Sequence, residues 1–371
     1  MSELIQAKKP NLGFGNMRMP VKEDGSVDID TIFKMVDTYM AHGFNYYDTG
    51  YVYKGSEEML RRALVERYPR DSFMITTKMF VGDCKTKDDM MKQFNISKER
   101  LGLDVIDTYF LHAVGPMSYK KHDELKSFDF LRGLKDKGLV KHIGFSFHGS
   151  ADELDGILTA NPDMELVQLQ LNYLDWEDEK VQSRRCYETA RNHNIPISVM
   201  EPCKGGWLAG NDTDAARLLL KANPDVSVAS WAFRFIAGLE GIFVILSGMS
   251  NVEQVEDNAK TFENFTPLTP QERELTLKVV EMINATPSVP CTGCGYCSRG
   301  CPQNLPIPMY MSAYNALLRF NNLESSRHNY KMATNPQNIA SNCIGCKSCE
   351  ERCPQQIEIT KYIKEIAEKL D

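Results

Sequence analysis

The sequence predicts an α/β chain in which a (β/α)8 TIM barrel is followed by a small α+β domain organised by cysteines. Three observations predict it. Apolar, β-rich runs alternate with amphipathic stretches at roughly 30-residue intervals as far as Phe265. No G-x-G-x-x-G turn follows the first run, which disfavours the open doubly wound sheet as a competitor. Eight of the eleven cysteines fall between Cys291 and Cys353.

The predicted strands, in order, are Leu12–Met17, Asn45–Asp48, Phe73–Thr77, Val105–Leu111, Val140–Phe145, Leu166–Leu171, Ile197–Met200 and Ile242–Leu246. Each is a nearly continuous apolar run, as a strand buried on both faces requires. Helical spacing marks Ile32–His42, Glu57–Arg67, Leu125–Lys137, Lys180–Asn192 and Val252–Thr261. Eight strand–helix units of this kind close a parallel barrel. A further helix, Gln271–Asn284, leads into the stiff junction Thr286-Pro-Ser-Val-Pro290. The expected division is therefore a barrel over residues 1–285 and a cysteine-organised domain over residues 286–371. So small a domain needs bound clusters to supply stability its own core lacks.

Composition narrows the function classes. With 42% hydrophobic and 25% charged residues the chain has ample material for a core. A net charge of −7 argues against a general nucleic-acid or anionic-membrane surface. The N-terminal residues contain no apolar run of the secretory kind. The greasiest stretch, Val226 to Met249, is broken by Arg234, Glu240 and glycines, so it reads as buried helix and strand. A cytoplasmic protein is expected. The 18 methionines read as core filling. Lys120–Glu124 reads as a solvated helix entry, and Cys84, Cys186 and Cys203 as ordinary residues.

The cysteine spacing is the sharpest signal. Cys291-x-x-Cys294-x-x-Cys297-x-x-x-Cys301-Pro302 recurs as Cys343-x-x-Cys346-x-x-Cys349-x-x-x-Cys353-Pro354. This is the bacterial ferredoxin arrangement, in which the fourth cysteine of each run serves the other cluster. Cys291, Cys294, Cys297 and Cys353 should hold one [4Fe–4S] cluster, and Cys343, Cys346, Cys349 and Cys301 the second. Zinc has no use for a third cysteine two residues after a C-x-x-C pair. Residues 302–342, with a helix expected at Met309–Phe320, are an insertion relative to a minimal two-cluster ferredoxin.

Barrel enzymes place chemistry at the C-terminal ends of strands. There the sequence puts Asp48, with Tyr53 five residues on, then Lys78 and His112. A phenol ionises near pH ~10, too high for easy proton delivery near neutrality. A neighbouring ammonium lowers that value, and a carboxylate holds the ammonium in place. Histidine can orient a carbonyl oxygen.

The segment Gly43-Phe-Asn-Tyr-Tyr-Asp-Thr-Gly-Tyr-Val-Tyr-Lys-Gly-Ser-Glu57 resembles the aldo-keto reductase signature. Leu12–Pro20, Thr77-Lys78, Leu111-His112 and Gly144-Phe-Ser-Phe-His148 also resemble that family's motifs, in its order, over residues 10 to 265. The resemblance implies a catalytic tetrad of Asp48, Tyr53, Lys78 and His112, with Tyr53 the general acid in NADP- or NAD-dependent carbonyl reduction or alcohol oxidation. It implies that Ser146 and Gln168 bind the nicotinamide carboxamide, although Phe147 stands where many members carry Asn. The tyrosine that often stacks on nicotinamide is replaced near Met200. The strand-eight exit implies a dinucleotide phosphate loop at Ser247, Gly248, Met249 and Ser250, with Gln254, Asp257 and Asn258 at the adenosine end. NADP-selective members often place Lys and Arg where this chain has Gly248 and Gln254, so NADP and NAD both stay open.

A hydride carries two electrons and a cubane passes one. Three readings follow. The barrel reduces a small-molecule carbonyl, or oxidises an alcohol, with clusters that exchange electrons with an external ferredoxin or another carrier. Or the same enzyme carries clusters that are structural or redox-sensing. Or a non-catalytic or weakly active barrel serves as an Fe–S electron-transfer or redox-sensing module.

Overall fold

A computed structural model describes residues 11–371 apart from 18, 23–26, 117, 264, 292, 294 and 354. Eight parallel strands close a barrel in sequence order: β1 (Asn11–Gly15), β2 (Tyr46–Asp48), β3 (Met74–Met79), β4 (Ile106–Val114), β5 (Val140–Phe147), β6 (Leu166–Gln170), β7 (Ile197–Met200) and β8 (Ile242–Ser247). β8 returns to β1 with Gly13 beside Leu246, so no edge is left open.

Helices connect the strands: α1 (Ile29–Ala41), α2 (Ser56–Leu60), α3 (Lys87–Leu101), α4 (Tyr119–Leu125), α5 (Ser127–Asp136), α6 (Ala151–Ala160), α7 (Ser183–Asn192), α8 (Asp214–Ala222), α9 (Val228–Ala237) and α10 (Val252–Glu263). The sequence cues explain their ends. Thr86 and Ser150 form capping boxes with Asp89 and Glu153 at the starts of α3 and α6. Gly102, in the left-handed region, stops α3. The helix expected over Glu57–Arg67 is shorter: α2 passes at Arg61–Val65 into a wider, π-type turn. That expected over Lys180–Asn192 starts only at Ser183, because Gln182 adopts φ 53.

Packing follows the expected faces. Leu12, Phe14, Tyr47, Ile75, Phe110, Phe145, Leu169 and Val199 are almost wholly buried, and each such side chain is worth about 1.5–3 kcal/mol of burial. Tyr39 of α1 closes the joint between strands by donating to the Leu12 carbonyl at 2.6 Å. Gly144 in β5 marks a close approach: a Cβ there would lie 2.1 Å from the Leu166 carbonyl oxygen. At the N-terminal end of β4, Asp107 accepts from Arg70 and Lys141, each at 2.7 Å, and from the Ile75 amide at 2.9 Å. That buried carboxylate ties three strands together on the face opposite the chemistry.

Two compact units emerge from the pattern of contacts, residues 1–203 with 230–269, and residues 204–229 with 270–371. The second unit holds α8, α11 (Pro270–Ala285), α12 (Tyr296–Arg299), α13 (Ile307–Phe320), α14 (Leu323–Met332), α15 (Ser348–Glu351) and α16 (Ile359–Leu370). Its core gathers Leu305, Ile307, Tyr310, Met311, Tyr314, Tyr330, Ile359, Ile363, Ile366 and Leu370. The buried positions of α16 recur at three- and four-residue steps, one face of a helix. Residues 204–209, which follow β7, belong to this unit. Trp207 stacks on Phe320 with centroids 5.1 Å apart, and Ser325 donates to the Gly205 carbonyl at 3.0 Å.

Candidate active site and cluster cavities

Asp48 ends β2 and Lys78 lies in the last turn-out of β3, on strands that are paired in register. Both are buried, Lys78 completely. The Lys78 ammonium donates to an Asp48 oxygen and, at 2.7 Å, to the Thr49 carbonyl. A buried ammonium persists only when paired in this way. Its remaining reach is toward Tyr53, whose ring centre lies 5.2 Å away. The second Asp48 oxygen accepts from the Gln168 amide at 3.2 Å.

His112 is placed by a bulge. Strand β4 continues beyond the expected Leu111, and its pairing with β5 slips between Leu111 and Val114. Ala113 takes φ 54 there, a local turn that re-aims the preceding side chain. Its amide donates to the Ser146 hydroxyl at 2.8 Å, which anchors the bulge to β5. His112 Nε2 then faces the Tyr53 hydroxyl at 3.4 Å, with the two rings nearly perpendicular. Asp48, Tyr53, Lys78 and His112 thus meet in one place.

Protonation follows from burial and neighbours. Burial pushes the Tyr53 phenol above its ordinary value; Lys78 pulls it down, and Asp48 and Glu201 push it up. The expected acidification by Lys78 is present as a force but is outweighed. Tyr53 therefore keeps its proton at neutral pH. Burial, and then the charges of Lys78 and His148, depress His112 to about 3, so its ring is neutral. Burial raises Asp48, against the opposing pull of Lys78 and Gln168.

A buried network that sequence reasoning missed holds the Tyr53 loop. Glu57, 1% exposed, accepts from the Thr77 hydroxyl at 2.6 Å and from Arg100 at 3.3 Å. Arg100 also donates to the Tyr51 carbonyl at 3.1 Å, and the Tyr51 amide donates to the Lys78 carbonyl at 3.1 Å. The loop is thereby fastened to β3 on one side and α3 on the other. Glu201 is the other unforeseen neighbour. It follows β7 directly, with φ 57 and its carbonyl held by the Asn172 amide at 3.1 Å.

Ser146 and Gln168 lie opposite each other in the β5–β6 register. With the Ala113 amide bound to its oxygen, Ser146 still has a proton to donate. Gln168 spends its amide nitrogen on Asp48 and Ser198, leaving its carbonyl oxygen to accept. One donor and one acceptor side by side fit a carboxamide. Ser247, Gly248, Met249, Ser250, Gln254, Asp257 and Asn258 form a separate grouping at the β8–α10 junction. There Asn258 donates to Ser247 at 2.9 Å, and the Ser250 amide donates to Gln254 at 2.7 Å. No atom lies within 4 Å of where a Gly248 Cβ would stand, so that backbone can be approached closely.

Two hollows in the second unit gather the cysteines. One, of about 350 Å³, is lined by Cys291, Cys297 and Cys353 with Ile307, Met311 and Ile359. The other, of about 300 Å³, is lined by Cys343, Cys346, Cys349 and Cys301 with Leu305 and Ile363. Each receives the last cysteine of the opposite run. Cys294 lies outside the described residues. The thiols ring these hollows around apolar walls, and among the described residues no three His, Cys, Asp or Glu are grouped to hold a single ion. Such a donor set fits a cubane, whose irons take separate thiolates.

Residues 11–279 match the model of the Aldo/keto reductase family. The chain belongs to the aldo/keto reductase family. Residues 290–358 of this aldo/keto reductase match the 4Fe-4S dicluster domain, so the barrel carries a domain of the two-cluster [4Fe–4S] type. Among curated relatives, aldo-keto reductase str7 of Strobilurus tenacellus is 30% identical over 217 residues, covering 55% of this chain and 61% of that protein. The 9,11-endoperoxide prostaglandin H2 reductase of Trypanosoma cruzi is 25% identical over 205 residues, covering 55% and 65%. The chain thus spans less than two thirds of either relative. Among solved structures, an aldo-keto reductase from Klebsiella pneumoniae in complex with NADPH shares the fold with TM-score 0.60 at 18% identity, covering 74% of this chain and 92% of that one. AKR11C1 from Bacillus halodurans gives TM-score 0.58 at 22% identity, covering 72% and 91%. No described helix is long and apolar enough to cross a membrane.

Proposed function

We propose that this aldo/keto reductase reduces a small-molecule carbonyl, or oxidises the corresponding alcohol, with NADPH or NADH, and that Tyr53 is its general acid. The observation that carries the reading is the meeting of the Tyr53 hydroxyl and His112 Nε2, 3.4 Å apart, beside a buried Lys78–Asp48 pair. A carbonyl oxygen placed between the two rings accepts the Tyr53 proton while neutral His112 orients it. As the proton leaves, negative charge grows on the phenol oxygen, and the Lys78 ammonium stabilises it. Asp48 and Thr49 keep that ammonium fixed, so little reorganisation is needed at the moment of reaction. A bound nicotinamide supplies the hydride that adds to the carbonyl carbon. Ser146 and Gln168 would hold its carboxamide, and Ser247–Ser250 with Gln254, Asp257 and Asn258 its phosphate and adenosine end.

Cys291, Cys294, Cys297 and Cys353 would hold one cluster, and Cys301, Cys343, Cys346 and Cys349 the other. Bound clusters supply one-electron exchange, with an external ferredoxin-like carrier as the proposed partner. Tyr53→Phe is the deciding variant. It should abolish NAD(P)H-dependent aldehyde reduction while the visible cluster absorbance is unchanged; retained turnover would remove Tyr53 from its role.

A further inference from the structure

A third cavity lies on the barrel itself, with a volume of about 570 Å³, within the range of small-molecule pockets. Its walls are Phe147, His148, Leu169, Gln170, Lys180 and Cys186. Its place relative to the tetrad follows from strand geometry. Ser146 and Gln168 are register partners on the inward face of β5 and β6. Side chains two residues further along a strand return to the same face, so His148 and Gln170 continue that face one step toward the C-terminal rim. His148 is also close enough for its charge to bear on His112. The cavity therefore opens above the groups that orient the carbonyl.

Its lining states the ligand chemistry. Phe147, Leu169 and Cys186 are buried and offer an apolar wall. Lys180, exposed at the mouth, is the lining residue with a fixed charge, and no carboxylate lines the cavity. The acidic residues of the preceding loop are directed elsewhere. Asp175 accepts from Gln170 and Asn172 at 2.8 Å, Glu177 pairs with Arg184 at 2.8 Å, and Asp178 caps the Lys180 and Val181 amides at 2.8 Å. Glu179 is exposed. A short apolar chain ending in an anion meets both requirements.

We infer that this cavity receives the carboxylate-bearing tail of an anionic aldehyde or ketone, and that Lys180 reads its charge. The inference rests on the reductase reading for the carbonyl end, and on the cavity alone for the anion. The test compares 4-oxobutanoate with butanal, which differ by the terminal carboxylate, in the intact cluster-loaded protein. Lys180→Gln should lower the ratio of kcat/KM for the charged aldehyde over the neutral one by about tenfold, the usual scale for one charge-assisted hydrogen bond. Lys180→Arg should restore most of that ratio. An unchanged ratio in Lys180→Gln would overturn the assignment. Equilibrium binding of butanedioate, followed by calorimetry, separates the two readings: it should weaken about tenfold in Lys180→Gln. If neither aldehyde turns over but butanedioate still binds through Lys180, the reductase reading fails and the anion pocket stands. If butanedioate does not bind the wild type, the pocket assignment fails.

Discussion

The Gln168 amide lies 3.2 Å from the one Asp48 oxygen that Lys78 does not take. A side chain assigned to the cofactor is thus also the second anchor of the carboxylate that orients the catalytic ammonium. Gln168→Leu should leave that buried oxygen unpaired at a cost of about 1–3 kcal/mol. A urea titration of the barrel should show the midpoint falling with its slope unchanged, together with a lower kcat. An unaltered midpoint would mean that the Asp48 oxygen finds another donor.

The Tyr53 loop is held by a carboxylate from α2 and a guanidinium from α3. Arg100→Met leaves Glu57 buried beside Thr77 without its cation. Because Arg100 is one-third exposed, water compensates part of the loss, and about 1–2 kcal/mol of destabilisation is expected. The informative readout is kinetic. If the network positions Tyr53, kcat for aldehyde reduction falls several-fold more than the affinity for NADPH or NADH. An equal fall in both would reduce Arg100 to a structural role.

His122 carries a pH dependence unrelated to catalysis. It is wholly buried in α4, neither ring nitrogen has a partner, and burial, followed by Lys121, lowers it to about 4. The unfolded chain takes up a proton near pH ~6.5, whereas the folded chain resists until about pH 4. Within that window the unfolded state binds more protons, so stability drops by about 1.4 kcal/mol per pH unit as pH falls. His122→Leu should flatten the acid limb of the urea midpoint against pH by one proton. A limb of unchanged slope would show that His122 is solvated.

The cysteine hollows predict crossed dependence. Cys353→Ser removes a thiol from the hollow of Cys291 and Cys297, although it belongs to the second run. Iron in anaerobically prepared protein should fall from two clusters' worth toward one. Cys301→Ser should deplete the cluster of Cys343, Cys346 and Cys349 instead. Electron paramagnetic resonance of the reduced variants distinguishes the two cases, and identical residual spectra would mean that the ligands are not exchanged between runs.

The barrel was readable because buried parallel strands are written as apolar runs, and each of the eight appears within a few residues of its expected place. The tetrad was readable for a related reason: Asp48, Lys78 and His112 interrupt or end runs that otherwise exclude charge. The bulge that aims His112 was not, since Ala113 gives no hint of φ 54. Nor was the Glu57–Arg100 clamp, whose partners are 43 residues apart, because an arginine on α3 looks like any solvated helix residue. The attachment of residues 204–229 to the second unit was hidden too. It depends on the meeting of Trp207 with Phe320, a pairing that no local spacing announces.

The interleaving of the two cysteine runs has a consequence for biogenesis. The hollow that begins with Cys291 lacks a wall until Cys353 and Ile359 have been made and have folded back. Neither inorganic core can be sealed while the polypeptide is still emerging through its insertion of helices. Metallation is therefore a late, concerted event that can serve as a proofreading step: a chain truncated or misfolded near residue 350 would forfeit both centres rather than one.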